Sequence, residues 1–222
     1  MVQFHIYQIG TYQKNMTNAQ RQHLLSLLCV SRREKVEKIK IAASYDAHLI
    51  ASWLLEKELK AAIGQRTKAE DFTLHFSYQA NGKPYLADYP KLCFNLSHSG
   101  SYVAIAIANS MVGVDIEVNA KREQAIARRF FHPRERSYLL EQGMAEEQRK
   151  TEFQKIWTMK EAYLKYTGEG LRKPLPSFWV DPVTGQIEDE PEICCHLKKV
   201  DKGVAALCCQ KEQEVNYQII TL

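Results

Sequence analysis

Hydrophobic and polar positions repeat along this chain with two periods, near two and near 3.6 residues. Val2 to Tyr7 reads as a strand, and a helix follows Thr17 or Asn18 and runs to about Leu28. Ser31 with Glu34 three residues on has the form of a capping box, opening a second helical region that breaks near Ser44 and ends at Gly64. Its later half puts Ile50, Trp53, Leu54 and Leu55 on one face. Strands are predicted at Phe72 to Tyr78, before an Asn81-Gly82 turn, at Leu92 to Leu96 and at Tyr102 to Ala108. Val112, Val114, Ile116 and Val118 alternate strictly with Gly113, Asp115 and Glu117. A strand there buries one branched face and carries two carboxylates on the other. Helices are then predicted over Arg122 to Phe130, from Pro133 to Gly143, and over Glu146 to Thr167 with Gly168 as the stop. From Ser177 onward the pattern is three or four short strands, split by Asp181-Pro182, Gly185 and Lys202-Gly203. Helices and strands mix in each half, which predicts an α+β fold.

The length, 222 residues, is long for one ordinary domain and short for two. A 45% hydrophobic and 25% charged composition excludes disorder as the main state. No apolar run approaches the ~20 residues that span a bilayer. Met1 to Gly10 carries no basic segment ahead of an apolar one, so neither a membrane nor a secretory address is expected. Thirty basic against 26 acidic side chains leave +4, too mild for a nucleic-acid coat but compatible with a local cluster for a phosphorylated small molecule. Six cysteines without a CxxC or zinc spacing predict reduced thiols in the cytoplasm.

Four groups could do chemistry. Asp115 and Glu117 are either two solvated acids or ligands of a hard cation, which removes the repulsion between carboxylates two residues apart. In the helix around Trp157, Phe153, Ile156, Trp157, Tyr163 and Leu164 form an apolar arc that includes Lys160, an ammonium that is costly there unless paired or turned outward. Glu161 and Lys165 lie at its edge, one turn apart, and by default form an ion pair. The stretch from Asn95 to Gly100, placed between two apolar strands, offers His98 as a phosphate ligand, a base or a structural histidine; no GxSxG elbow marks a hydrolase. Arg32, Arg33 and Lys35 at a helix start oppose its dipole, which a bound anion would relieve.

Taken in order, Gly82-Lys83-Pro84, Phe94-Asn95-Leu96-Ser97-His98-Ser99, Val112 to Glu117, Phe130-Phe131 and Trp157-Thr158-Met159-Lys160-Glu161-Ala162-Tyr163-Leu164-Lys165 resemble the 4′-phosphopantetheinyl transferases, in their larger Sfp-type branch. Arg33-Glu34-Lys35 and Asp46-Ala47-His48 extend the match more weakly. The resemblance implies an α+β fold of two similar halves related by a pseudo-twofold, divided at 1–109 and 110–222, with the active site between them. It implies a reaction in which the phosphopantetheine arm of coenzyme A moves to a serine of an apo acyl or peptidyl carrier protein, releasing 3′,5′-ADP. By resemblance, Asp115, Glu117 and Glu161 hold Mg²⁺, or Mn²⁺ in its place. Lys83, Ser97, His98, Lys160 and Lys165 contact phosphates, and Arg32 and Lys35 lie near the 3′-phosphate. Glu161, directly or through a bound water, takes the serine proton, and Lys165 stabilises the leaving phosphate. A cytoplasmic monomer that meets carrier proteins and coenzyme A, but neither nucleic acid nor membrane, completes the expectation. The competing reading is a non-catalytic coenzyme A or carrier-protein binding module, which has no use for three acids.

Two further expectations follow. Relatives often carry arginine directly after the Asp-Ala-His segment, where this chain has Leu49, so its preference for coenzyme A over the 3′-dephospho form should be smaller. The stretch Phe130 to Leu140, with Phe131 and Tyr138, could dock a carrier helix, and Arg128, Arg129, Arg134 and Arg136 suit an acidic partner.

Overall fold

The computed structural model describes residues 1–67, 73–118, 123–140 and 143–222. The predicted strand start at Phe72 and helix start at Arg122 lie outside them.

The described part of the chain repeats one arrangement twice. Strand β1 (Val2–Gln8) leads through short helices α1 (Gly10–Asn15), α2 (Asn18–Leu27) and α3 (Val30–Glu37) to the long helix α4 (Ala42–Thr67). A small hairpin, β2 (Phe76–Tyr78) and β3 (Pro84–Leu86), precedes a larger one, β4 (Cys93–Ser99) and β5 (Tyr102–Ala108). The second pass begins with β6 (Gly113–Val118), runs through α5 (Glu123–Phe130) and α6 (Pro133–Leu139) to the long α7 (Glu146–Thr167), and closes with the hairpin β8 (Glu190–Val200) and β9 (Gly203–Gln210) after the short β7 (Gln186–Ile187). In both passes the first strand pairs antiparallel with the second strand of the hairpin, giving the orders β1-β5-β4 and β6-β9-β8. The internal repeat is therefore written in the topology. The last strand, β10 (Val215–Thr221), leaves the second sheet and pairs parallel with β1, Val2 beside Val215 through Gln8 beside Thr221. Nothing in the period of the sequence distinguishes this crossing from a fifth strand of the second sheet, which already holds β6, β9, β8 and β7.

Four layers result. In β4 the even-numbered Phe94 and Leu96, and in β1 and β5 odd-numbered residues such as Val103, Ile105 and Ile107, pack beneath α4 with Leu54, Leu55 and Leu59. Even-numbered residues of β1 and β5, Phe4, Ile6, Ala104 and Ala106, face Val114, Ile116, Ala205 and Leu207 of the second sheet. The outer face of that sheet, including Ala206 and Cys208, lies under α7 at Met159, Ala162 and Tyr163. The order is helix, sheet, sheet, helix, and β5, in the middle, is buried along its whole length.

Local signals explain the boundaries. The Thr17 hydroxyl accepts from the Gln20 N–H, and the Gln20 side chain reaches back to the Thr17 N–H, a reciprocal cap on α2. The box expected at Ser31 does not form: Cys29 is the cap residue of α3 and Ser31 lies within the helix. The break comes at residues 38–41, before Ser44, and α4 runs past Gly64 to Thr67. Gly168 adopts φ of 75° and ends α7 where expected. Gly113 has a different purpose, because a Cβ there would sit 2.1 Å from the Ala162 carbonyl oxygen. Only glycine lets α7 lie so close to β6, and that contact sets Glu161 and Lys165 above the acids of the strand.

Candidate active site

The two sheets meet at their edge strands, β4 and β6, which run side by side without a backbone ladder. Side chains of β4 supply the missing bonds: Asn95 Oδ1 accepts from the Val114 N–H at 2.9 Å, and Ser99 Oγ accepts from the Val118 N–H at 3.2 Å. Between these two bridges, Ser97 Oγ donates to Asp115 Oδ1 at 2.8 Å. The seam explains why Asn, Ser and Ser recur at every second position of β4. The stretch expected between two strands belongs to the first of them, which runs past Leu96 through Ser99 to a turn at Gly100.

The carboxylate face of β6 is covered by α7, so Asp115 is only 4% exposed. The Lys165 ammonium donates to Asp115 Oδ1 at 2.6 Å and to Ser97 Oγ at 2.9 Å. Asp115 Oδ2 is buried with no hydrogen-bond partner. A buried carboxylate oxygen in that state is costly unless something binds it. Glu117 receives a bond from Ser99 Oγ at 3.3 Å, and the Trp157 indole nearby favours its charged form. Burial, followed by the charge of Asp115, nevertheless pushes its carboxyl above the usual range. Glu161 is raised as well, by burial first, then by Asp115, partly offset by Lys165, with Glu117 adding to the rise. Three carboxylates thus share one field, with one ammonium among them. Among the described residues, no three His, Cys, Asp or Glu side chains converge into a ready-made cation cage. The donor set still fits a hard cation in kind: all-oxygen ligands, mutual repulsion, and one orphaned carboxylate oxygen.

His98 points to the α4 face of its strand. Burial, then His48, then Lys165 lower its pKa to about 4, so it is neutral at physiological pH. His48, which sequence reasoning quoted without a role, lies with its ring centroid 4.3 Å from that of His98.

Other expected phosphate ligands are placed elsewhere. Lys160 is a correction. It is fully buried, and its ammonium donates to Glu135 Oε1 at 2.8 Å and to the Phe178 carbonyl at 2.6 Å, on the side of α7 away from the acids. Glu135 also accepts from the N–H groups of Val180 and His132, so the network is closed. Lys83 is a second correction. Its Nζ donates to the carbonyls of Lys165, Tyr166 and Val112 at 2.7, 2.8 and 3.3 Å. It thereby caps the C-terminus of α7 from the other half of the molecule, where a cation also suits the helix dipole. Arg32 stacks on Phe76 at 4.7 Å and Lys35 on Tyr78 at 3.9 Å, both on the β2–β3 hairpin. Burial lowers the Arg32 pKa, and its Nε is buried without a partner. Arg33 instead closes α2, donating to the Leu25, Ser26 and Leu28 carbonyls. Leu49, on α4, is fully buried in the core between that helix and the first sheet.

These elements gather three carboxylates and one ammonium at the seam between the two sheets. The comparisons give the class. A family model described as the 4′-phosphopantetheinyl transferase superfamily matches residues 111–214, and one described as 4′-phosphopantetheinyl transferase, N-terminal, matches residues 15–110. The chain is similar to the 4′-phosphopantetheinyl transferase Sfp of Bacillus subtilis strain 168, 31% identical over 200 residues, 87% of each chain. It is also similar to a 4′-phosphopantetheinyl transferase of Bacillus subtilis, 33% identical over 174 residues, 77% of this chain and 74% of the relative. The 4′-phosphopantetheinyl transferase HetI of a Nostoc species is 37% identical over 121 residues, 52% of this chain and 50% of the relative. The chain belongs to the 4′-phosphopantetheinyl transferase family. The α+β fold expected from the sequence is the one found, and the membership carries coenzyme A with it as the substrate.

Proposed function

We propose that this protein transfers the phosphopantetheine arm of coenzyme A to a serine of an apo carrier protein, and that the seam between β4, β6 and α7 is where it does so. The observation that carries this is the buried group of Asp115, Glu117, Glu161 and Lys165, with Asp115 Oδ2 left without a partner. A non-catalytic binding module has no reason to bury three repelling acids, and the relatives' names do not favour it.

The reaction is an in-line displacement. The serine oxygen bonds to the phosphorus that bears the pantetheine arm, the bridging P–O bond breaks, and 3′,5′-ADP leaves with that oxygen. Such transfers depend on positioning and on stabilising charge. Asp115, Glu117 and Glu161 would hold Mg²⁺, or Mn²⁺, which when bound supplies Lewis-acid charge to the pyrophosphate. Glu161, whose carboxyl burial and Asp115 raise above the usual carboxylate range, is suited to take the serine proton. Lys165, already among the acids, offers its ammonium to the departing phosphate. Ser97 orients Asp115, and His98, Arg32 and Lys35 are available to the other phosphates. Leu49 lends no cation, which keeps a reduced preference for the 3′-phosphate as part of the proposal.

A carrier surface is also proposed. A groove of about 300 Å³ between α5, α6 and α7 has an apolar floor at Leu139 and Phe153, the exposed Leu140 at its mouth and a basic rim at Arg128, Arg136 and Arg149. It suits an acidic helix with an apolar anchor. Arg134 belongs elsewhere, paired with Glu188 at 2.9 Å and lying over Trp179. Charge reversal by Arg128→Glu should raise the KM for the carrier about tenfold and leave that for coenzyme A unchanged, the pattern of a rim charge in association. Equal KM values for wild type and variant would remove the groove from the account.

Among the described residues, no helix is long and apolar enough to cross a membrane. The six cysteines are free thiols, which supports the cytoplasm as the compartment. The two halves, divided near 109/110, would act as one monomeric unit. Release of 3′,5′-ADP in step with loss of apo carrier tests the activity; its absence with every class of carrier would overturn the reading.

A further inference from the structure

His98, offered above to a phosphate, is paired with His48, to which the reaction chemistry above gives no part. His48 Nδ1 lies 2.7 Å from the Ser44 carbonyl oxygen, its own i−4 acceptor on α4. A carbonyl only accepts, so Nδ1 carries a hydrogen in every protonation state. The Ser44 hydroxyl, 3.3 Å from the same nitrogen, does not alter that assignment. The remaining nitrogen, Nε2, lies 3.3 Å from His98 Nε2. With both rings neutral, His48 Nε2 can only accept, so the hydrogen between the rings belongs to His98. That leaves His98 Nδ1 as a bare acceptor, the wrong polarity for a phosphate oxygen.

We infer that His48 fixes the hydrogen of His98 on Nε2, so that His98 can donate to a coenzyme A phosphate only by taking up one additional proton at Nδ1. The inference rests on the phosphate-binding reading of His98 proposed above. It makes His48 a positioning residue, acting through His98, and it makes substrate binding a proton-uptake event. The surroundings support this. Lys165 of α7 is the charged group that acts on His98 besides His48 itself, and with burial both hold the unliganded imidazole neutral. Asp46, two residues before His48, is held by Arg21 in a two-pronged pair at 2.7 Å to each oxygen, so it is already compensated. Ser97 and Ser99 turn to the other face of β4, toward Asp115 and Glu117. On β5, the residue beside His98 is the apolar Val103. An arriving phosphate brings the negative charge that stabilises the doubly protonated ring. The proton comes from solvent and stays on His98 until the phosphate leaves.

Calorimetry of coenzyme A binding near pH 7, in buffers of different ionisation enthalpy, counts the protons taken up. His48→Gln is the informative variant. Its amide N–H₂ can turn to donate to His98 Nε2, which lets a neutral His98 carry its hydrogen on Nδ1. Proton uptake in this variant should fall by about half a proton or more per coenzyme A relative to wild type. The ligand's own phosphate ionisation cancels in that difference. His98→Asn removes the uptake site altogether and should show the same fall, so the test stands if His48→Gln does not fold. Equal uptake in wild type and the folded variants overturns the inference. Failure of the wild type to bind coenzyme A at all would instead overturn the proposed function.

Discussion

Glu161→Gln should lower kcat for carrier modification by about 10²–10⁴-fold while coenzyme A still binds. The substitution keeps the size and the hydrogen-bonding edge of the side chain, and removes both its basicity and its charge. Glu161 is raised by burial and by Asp115 and Glu117, so removing its charge also relieves repulsion within the site. The folded protein should therefore be no less stable than wild type, which separates loss of chemistry from loss of structure. Single-turnover mass spectrometry gives the rate and calorimetry gives the binding. Near-normal turnover in the variant would show that another group takes the serine proton.

The second large effect concerns Lys160 and Glu135, both with no exposure to solvent. Lys160→Met leaves a carboxylate buried beside the Val180 N–H with its counter-ion gone, and should cost about 3–5 kcal/mol. The pair Lys160→Met with Glu135→Leu removes both charges and should recover most of that loss, because a buried ion pair is offset by the desolvation of its members. The expected signature in urea unfolding is a large drop in midpoint for the single variant and a small one for the double. If Lys160 bound phosphate instead, the single variant would keep its stability and lose affinity for coenzyme A. The double variant retains the Val180 N–H without its Glu135 acceptor, so a small deficit is expected to persist.

Lys160 also shows how far the sequence could be read. Helical spacing puts it inside the apolar arc of α7, which calls for either a partner or an outward turn, and of the two the structure has the partner, Glu135 across the α6–α7 contact. The family resemblance pointed it at phosphate, and here local physics was the better guide. Lys83 is the reverse case. Its position after an Asn-Gly turn names no partner, and no local pattern could reveal that the C-terminal carbonyls of α7 lie above it. The acids of β6 were legible as a pair, since strict alternation puts Asp115 and Glu117 on one face. Their burial was not, because it depends on Gly113 admitting α7 to the strand.

The same division holds for the fold. Boundaries set by capping and turn chemistry, at Thr17, at Asn81-Gly82 and at Gly168, followed from neighbouring residues. The short helix α1 and the strand β3 carried too few residues to establish a period. Pairings between distant segments were beyond the pattern altogether, β10 on β1 above all, because alternation reports which residues share a face and not which strand lies alongside. His48 was hidden for a related reason. A histidine one turn after Ser44 on a long helix gives no sign of the ring it meets on β4.

The account rests on one claim, that the carboxylate seam moves the arm of coenzyme A onto a carrier serine. Its most direct test is the intact mass of an apo carrier protein after incubation with coenzyme A, Mg²⁺ and either the wild type or Glu161→Gln. The account predicts that the wild type makes the carrier heavier by one phosphopantetheine arm, placed on serine, and that the variant leaves it unchanged on the same timescale. An unmodified carrier with the wild type, across fatty-acid, polyketide and peptide carriers, would contradict it, and so would equal modification by both proteins.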